Sequence, residues 1–131
     1  MPEPKDHVSQ ARRNFAFLSA CKDKIDIRNT YPEWHVVVSL YTCLHIVEAI
    51  LAKNKIHCHK HQERHLLVST RPEFGLVFYT HYVDLYNLTM RARYLSDGKK
   101  TISPNDLRDC DFHFDEITKF AKDKYGIEIS A

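Results

Sequence analysis

The stretch of this chain richest in potential chemistry is residues 57–65, which read HCHKHQERH. Its imidazoles recur every fourth residue, which places them on one face of a helix, or every second residue, which places them on one face of an extended segment. Either arrangement could hold a borderline metal such as zinc. The candidate ligands are His57, His59, His61 and His65, with Cys58 or Glu63 as a further ligand. The alternative is a solvated polar loop, because the paired spacing of structural zinc sites is missing. We therefore predict no metal ligands and no cofactor.

A second polar feature interrupts the most apolar part of the sequence, residues 34–53. His45 and Glu48 are three residues apart and share one face of a helix. Burying an unpaired imidazole or carboxylate is costly, so both side chains require partners. One interpretation is a polar pocket in which they meet a base, a phosphate or a proton. The other is a structural role, with bonds to a tyrosine or an arginine of the fourth predicted helix.

Arginines form a third feature in residues 89–100, TMRARYLSDGKK. The guanidinium groups of Arg91 and Arg93, next to the ring of Tyr94, suit phosphate binding and base stacking. They also suit the C-terminus of a helix, where cations interact favourably with exposed carbonyl groups. A nucleic-acid site requires these arginines to converge with Arg64 and His61.

Composition limits the function classes further. The net charge of +2 is well below that of a dedicated nucleic-acid coat protein. There is no Gly-x-Ser-x-Gly sequence, and three scattered glycines cannot form a phosphate-binding loop, which argues against classical hydrolases and nucleotidases. The four cysteines lack paired spacing and indicate reduced, mostly buried thiols. With no leader pattern and only short continuous apolar runs, we expect a cytoplasmic protein that does not enter a membrane.

Helical periodicity and few turn residues predict an all-α fold. We expect an up-and-down four-helix bundle with one additional short helix, forming a single domain over residues 1–131. A polar connection at 26–30 and a loop near 96–103 separate the elements. The predicted helices cover 6–25, 32–53, 60–69 (the short one), 72–95 and 104–125, with Ser103 as the cap of the last.

The sequence resembles the HEPN superfamily, named for nucleotide-binding domains of higher eukaryotes and prokaryotes, and within it small prokaryotic single-domain members. The resemblance lies in WHVVVSLYTCLHIVEAIL at 34–51, in His61 and Arg64, and in RARY at 91–94, and it covers about residues 8–125. It implies a helical bundle that is often dimeric. Such domains occur in toxin-antitoxin pairs, defence systems and RNA processing, and many are metal-independent ribonucleases.

The resemblance also implies a catalytic arginine that precedes a histidine by a short spacing near the last helices. Arg28 with His35 and Arg108 with His113 both satisfy that spacing, and we prefer Arg108 with His113 because they lie at the start of the last predicted helix. The arginine would hold the scissile phosphate, and the histidine would move a proton during attack by the ribose 2′-hydroxyl. A regular helix places two residues five apart at about 140° from each other, so the pair needs a bend or a second subunit.

The leading hypothesis is therefore a cytoplasmic HEPN-like homodimer that binds RNA or a nucleotide and cleaves RNA without metal, as the toxin-like half of a system with an antitoxin-like protein partner. The competing hypothesis is a non-catalytic interaction or assembly module, and the third is a metal-binding domain that uses the histidines of 57–65. The predicted binding residues are His45, Glu48, His61, Arg64, Arg91, Arg93 and Tyr94.

Overall fold

The protein is all-helical. The computed structural model describes residues 2–24, 26–93 and 102–129, and for residues 21–24 it describes the backbone only. These ranges contain six helices and no strand: α1 (Pro4–Lys24), α2 (Ile27–Thr30), α3 (Pro32–Ala52), α4 (His61–Thr70), α5 (Leu76–Arg93) and α6 (Pro104–Tyr125). The all-α prediction is confirmed. Tyr94 and most of the loop predicted near 96–103 lie outside the described residues.

Helix α3 is the centre of the fold. It packs against α1, α2, α5 and α6, and thirteen of its 21 residues are buried. Pro32 occupies the first turn, where a missing N–H costs no intrahelical hydrogen bond. The apolar row predicted to begin at Trp34 is buried only farther along, because Trp34 is 58% exposed whereas Glu48 is buried. The charged member of that row, Glu48, is thus its most deeply buried residue, whereas His45 is half-buried.

By length and composition, α3 is the one described helix that could cross a membrane. However, 72% of its apolar window is buried inside the fold. A central core helix has this same character, because it is covered by other helices on nearly every side. Length and composition therefore do not place this helix in a membrane.

The predicted start of a helix at Pro72 is wrong. Arg71 has extended backbone angles, residues 72–74 form a turn, and α5 begins at Leu76. The residue before a proline disfavours the helical region, which explains why α4 ends there. Gly75, with φ +85°, then occupies the left-handed region that a right-handed helix excludes. Phe74 still reaches the core from this turn and is 2% exposed.

Both ends of α6 follow the sequence prediction. The Ser103 hydroxyl accepts a hydrogen bond from the Asp106 N–H at 3.1 Å, and the Asp106 carboxylate accepts one from the Ser103 N–H at 2.9 Å. These reciprocal bonds form a capping box. The helix ends before Gly126, whose φ of +66° provides a left-handed cap. In contrast, the connection predicted at 26–30 contains the short helix α2, capped by Asp26.

Candidate functional site

The first polar cluster is built around a buried ion pair between α3 and α4. The side chains of Glu48 and Arg64 are 6% and 7% exposed. Arg64 Nε donates to Glu48 Oε1 at 2.7 Å, and Arg64 Nη2 lies 2.6 Å from the same oxygen. Charge-assisted bonds of this length fix the orientation of both groups. We refer to Glu48, Arg64 and the side chains around them as the Glu48 cluster.

The Arg64 guanidinium also determines the protonation of His61. Arg64 Nη1 lies 3.1 Å from His61 Nδ1. Because a guanidinium group only donates, His61 Nδ1 accepts and the hydrogen of the neutral imidazole is on Nε2. Burial, together with the positive charges of Arg64 and Arg93, lowers the pKa of His61 and favours this neutral form. His61 therefore has an Nε2–H group that can donate to a ligand.

Arg93 is the second arginine at this place. It is exposed at the end of α5, its Nη1 donates to the Tyr41 hydroxyl at 3.5 Å, and its charge acts on His61. The ring of Tyr86, also on α5, contacts the His61 ring at a centroid distance of 5.2 Å and the His65 ring at 4.2 Å. Residues of α4 and α5 thus contact His61, and α3 is joined to them through the bonds of Tyr41 to Arg93 and of Glu48 to Arg64. We call His61, Arg64 and Arg93 the His61 site.

His45 borders the Glu48 cluster from the side of α1. Its Nδ1 lies 3.2 Å from Nδ1 of His7, so one imidazole donates and the other accepts. Burial lowers the pKa of both histidines, and the negative charge of Glu48 offsets only part of that effect. The partners of His45 and Glu48 come from α1 and α4, and not from the fourth predicted helix, in which we expected them.

Arg91 lies apart from this cluster. Its Nη2 is 2.7 Å from Asp106 Oδ1, so it joins the last turn of α5 to the first turn of α6. Asp106 is already a member of the capping box of α6, so the ion pair with Arg91 further stabilises the start of that helix. Of the seven predicted binding residues, the structure brings together His45, Glu48, His61, Arg64 and Arg93, whereas Tyr94 lies outside the described residues.

The pair preferred for catalysis does not meet within the described chain. Arg108 is exposed, and its Nη2 donates to Asn105 Oδ1 on the same helix. His113 is half-buried, with its Nδ1 2.9 Å from His81 Nδ1 and its Nε2 3.9 Å from Asp84 Oδ2. The two side chains leave α6 about 140° apart, as a regular helix dictates. A shared phosphate therefore requires a second subunit.

The other pair with suitable spacing does come together. Arg28 Nε and Nη2 donate to Asp111 Oδ2 at 3.0 and 2.8 Å, and His35 Nε2 lies 3.0 Å from Asp111 Oδ1. Burial would raise the pKa of Asp111, but hydrogen bonds from His35 and Arg28 and their charges lower it overall. We refer to Arg28, His35 and Asp111 as the Asp111 cluster. Sequence reasoning missed Asp111, since it lies 76 and 83 residues from its partners.

A cavity of about 710 Å³ adjoins the Asp111 cluster. Three carboxylates, those of Asp26, Asp111 and Asp115, line it together with one guanidinium, that of Arg28. Burial raises the pKa of Asp115, and the negative charges of Asp111 and Glu116 raise it further, as expected where acidic groups crowd together. This excess of carboxylates opposes phosphate binding, so the Arg28–His35 pair suits an RNA ligand poorly despite its spacing.

The histidines of 57–65 do not gather as metal ligands. In the described ranges, the group of ligand-type side chains whose donor atoms lie within 4.8 Å of one another is His35, Cys110 and Asp111. Cys58 is buried, and burial, with the negative charges of Glu48 and Glu63, raises its pKa to about 11. Its thiol is therefore protonated at neutral pH unless a metal ion displaces the proton, and the same holds for Cys110, whose pKa burial raises to about 12. Instead, Arg64 of this segment binds Glu48 and His61, and His65 contacts the ring of Tyr86.

No protein-family model, curated protein or solved structure matches this chain. The function is therefore inferred from the geometry and charge of the two clusters.

Proposed function

We propose that this protein is a HEPN-like domain that binds RNA or a nucleotide through a phosphate at the His61 site. The supporting observation is that Arg64 on α4 and Arg93 at the end of α5 both act on His61. The nucleic-acid hypothesis requires Arg91 and Arg93 to converge with Arg64 and His61, and Arg93 meets that requirement whereas Arg91 is paired with Asp106. The overall charge of +2 fits a local site better than a broad basic surface.

The groups at this site have distinct roles. The exposed Arg93 guanidinium and the Nε2–H of His61 donate to phosphate oxygens, where charge-assisted bonds are strongest. Arg64 is neutralised by Glu48 and acts as a positioning residue, because its bond to Nδ1 keeps the donor hydrogen of His61 on Nε2. The half-buried ring of Tyr86 lies beside His61 and offers an aromatic surface for a base.

The architecture that goes with this proposal is an up-and-down bundle of α1, α3, α5 and α6, with α2 and α4 as two additional short helices. Contacts of α3 with α1, α5 and α6, and of α5 with α6, support it. We further propose a cytoplasmic homodimer and an antitoxin-like protein partner. Leu76, Val77 and Phe112 are 78%, 72% and 55% exposed and provide apolar surface for such contacts.

Binding is tested by the fluorescence anisotropy of a labelled single-stranded RNA of mixed sequence, with ATP as a competing nucleotide. Arg93→Ala removes a phosphate contact, so affinity falls about tenfold and the slope of log K against log salt decreases by about one. Arg91→Ala is the matched control, because Arg91 lies two residues away on the same helix and is bound to Asp106. Equal affinities of both variants and the wild type would contradict the proposal.

Cleavage of RNA by Arg108 and His113 is a separate part of the proposal and depends on the homodimer. A mixed RNA pool is incubated with the protein in EDTA, alongside Arg108→Ala and His113→Ala variants of unchanged fold and oligomeric state. Both variants lose activity if the pair is catalytic. If the wild type binds RNA without cleaving it, the protein is a binding module. If it does neither, the exposed apolar residues favour the second candidate function, a non-catalytic interaction module.

A further inference from the structure

A second, chemically different site lies where α3 meets α6. His35, Cys110 and Asp111 each offer one donor atom, and the three atoms lie within 4.8 Å of one another. The His35 Nε2 and Asp111 Oδ1 atoms are 3.0 Å apart. One nitrogen, one sulfur and one oxygen donor therefore point to the same small volume. This combination differs from an ordinary ion pair in containing a thiol, and from a surface acidic cluster in containing an imidazole.

The donor set and its spacing match the chemistry of zinc-type ions. Imidazole, thiolate and carboxylate groups bind zinc at about 2.0–2.3 Å, which places donors of a tetrahedral site about 3.3–3.8 Å from each other. Small side-chain rotations bring donors within 4.8 Å into that range. Three protein ligands leave a fourth position for water, as in open zinc sites.

The surroundings favour a cation. The adjoining cavity of about 710 Å³ contains the carboxylates of Asp26, Asp111 and Asp115 against the single guanidinium of Arg28. His35 and Asp111 line this cavity, which gives an ion and its water a path to these two donors, whereas the fully buried Cys110 is not among the lining residues. Arg28 donates to Oδ2 of Asp111 and leaves Oδ1 beside His35, so it orients the carboxylate in the way that outer partners orient metal ligands.

We propose that His35, Cys110 and Asp111 bind a divalent zinc-type transition-metal ion, with water from the cavity as the fourth ligand. On binding, the His35–Asp111 hydrogen bond breaks, and the Nε2 hydrogen of the neutral imidazole is exchanged through water for one on Nδ1, which frees Nε2 for the ion. The Cys110 S–H bond breaks, a sulfur–metal bond forms and the thiol proton leaves to solvent. The ion thus joins α3 to α6, two helices that are far apart in sequence. This site is independent of the His61 site and of RNA binding.

Cobalt(II) titration of the full chain tests the proposal under reducing conditions after treatment with a chelator. Cobalt bound to a thiolate gives a charge-transfer absorption in the near ultraviolet. We expect this band in the wild type, its displacement by zinc, and its loss in Cys110→Ser. Cys58→Ser is the matched control, because Cys58 is also a buried cysteine but lies in the histidine segment 57–65, where the charges of Glu48 and Glu63 act on it. It should retain the band.

Cys110 is completely buried, so its variant requires a check of folding by circular dichroism. If Cys110→Ser is unfolded, His35→Gln decides instead, because the His35 side chain is 14% exposed and its replacement removes one ligand from a lined cavity. We expect cobalt affinity to fall at least about tenfold in that variant. The proposal is overturned if the wild type lacks the band or if folded Cys110→Ser retains it. It is also overturned if His35→Gln binds cobalt with unchanged affinity or if Cys58→Ser loses the band.

Discussion

The buried pair of Glu48 and Arg64 should be strongly destabilising when broken from one side and nearly neutral when replaced as a whole. With N···O distances of 2.6 and 2.7 Å, the two charge centres are about 4 Å apart. At an effective dielectric constant of about 20, that separation corresponds to about 4 kcal/mol of attraction. In Arg64→Met the Glu48 carboxylate, 6% exposed, stays buried without its counter-charge. We expect each single methionine variant to lose about 3–5 kcal/mol of unfolding free energy.

The double variant Glu48→Met/Arg64→Met removes both charges and leaves two apolar side chains of similar volume. Its cost should be only about 1 kcal/mol, chiefly the lost bond from Arg64 to His61. Urea unfolding followed by far-ultraviolet circular dichroism measures all four proteins, and equal m-values show that the unfolding transition is comparable. The resulting double-mutant cycle gives the coupling energy directly.

Arg71→Met is the matched control for this cycle. Arg71 Nε is 2.7 Å from Glu73 Oε2, but the arginine side chain is 34% exposed. Solvent screening limits such a pair to about 1 kcal/mol or less. The reasoning is refuted if Arg64→Met costs no more than Arg71→Met, or if the cost of the double variant equals the sum of the two single costs.

Three further predictions concern stability. Because burial lowers the pKa of His45 below 6.5, the unfolded chain binds protons before the folded one. The urea concentration at the unfolding midpoint should therefore decrease as the pH is lowered from about 7.5 to about 5.5. The decrease should be shallower in His45→Gln, whereas His59→Gln, the exposed control, should follow the wild type. Ser103→Ala removes one half of a capping box and should cost about 1 kcal/mol of unfolding free energy, whereas an unchanged midpoint would contradict the cap. At Gly126, with φ +66°, an added Cβ meets nothing within 4 Å. Gly126→Ala should therefore cost about 1 kcal/mol from backbone conformation alone, and a stabilised variant in thermal unfolding would exclude this account.

Local signals explain which parts of the fold were predictable. A proline in the first turn of α3 and the Ser103-Pro104 pair at the start of α6 mark helix starts through interactions within a few residues. The apolar rows of α3 likewise identify it as the central helix. Pro72 was misleading because the same residue type also begins turns, and the choice here depends on the left-handed Gly75 that follows.

The candidate sites were less predictable, since their partners are distant in sequence. Arg64 lies 16 residues beyond Glu48, and the sequence motif already suggested their importance without pairing them. Asp111 is 83 residues from Arg28, and no periodicity links the two. The preference for Arg108 and His113 relied on position along the last helix, whereas the side-chain directions on α6 are set by its packing on α3 and α5.

One physical rule points to residues of both clusters. A polar side chain on a helix that is buried on nearly every side must find a hydrogen-bond partner. On α3, Ser39 and Thr42 satisfy it locally by donating to the carbonyl oxygens of His35 and Val38. His35 and Glu48 have side chains that reach farther, and each is held by a residue of another helix, Asp111 or Arg64.

The opposite charge of the two clusters follows from those partners. Glu48 is paired with Arg64, and burial, followed by the positive charges of Arg64 and Arg93, lowers the pKa of His61. At the other cluster, Arg28 is paired with Asp111, and the carboxylates of Asp26 and Asp115 line the same cavity. His35 and His45 are ten residues apart, or about 15 Å along the helix, so a ligand at one cluster does not contact the residues of the other. A phosphate at one cluster and a metal ion at the other are therefore compatible on the same helix and largely independent of each other.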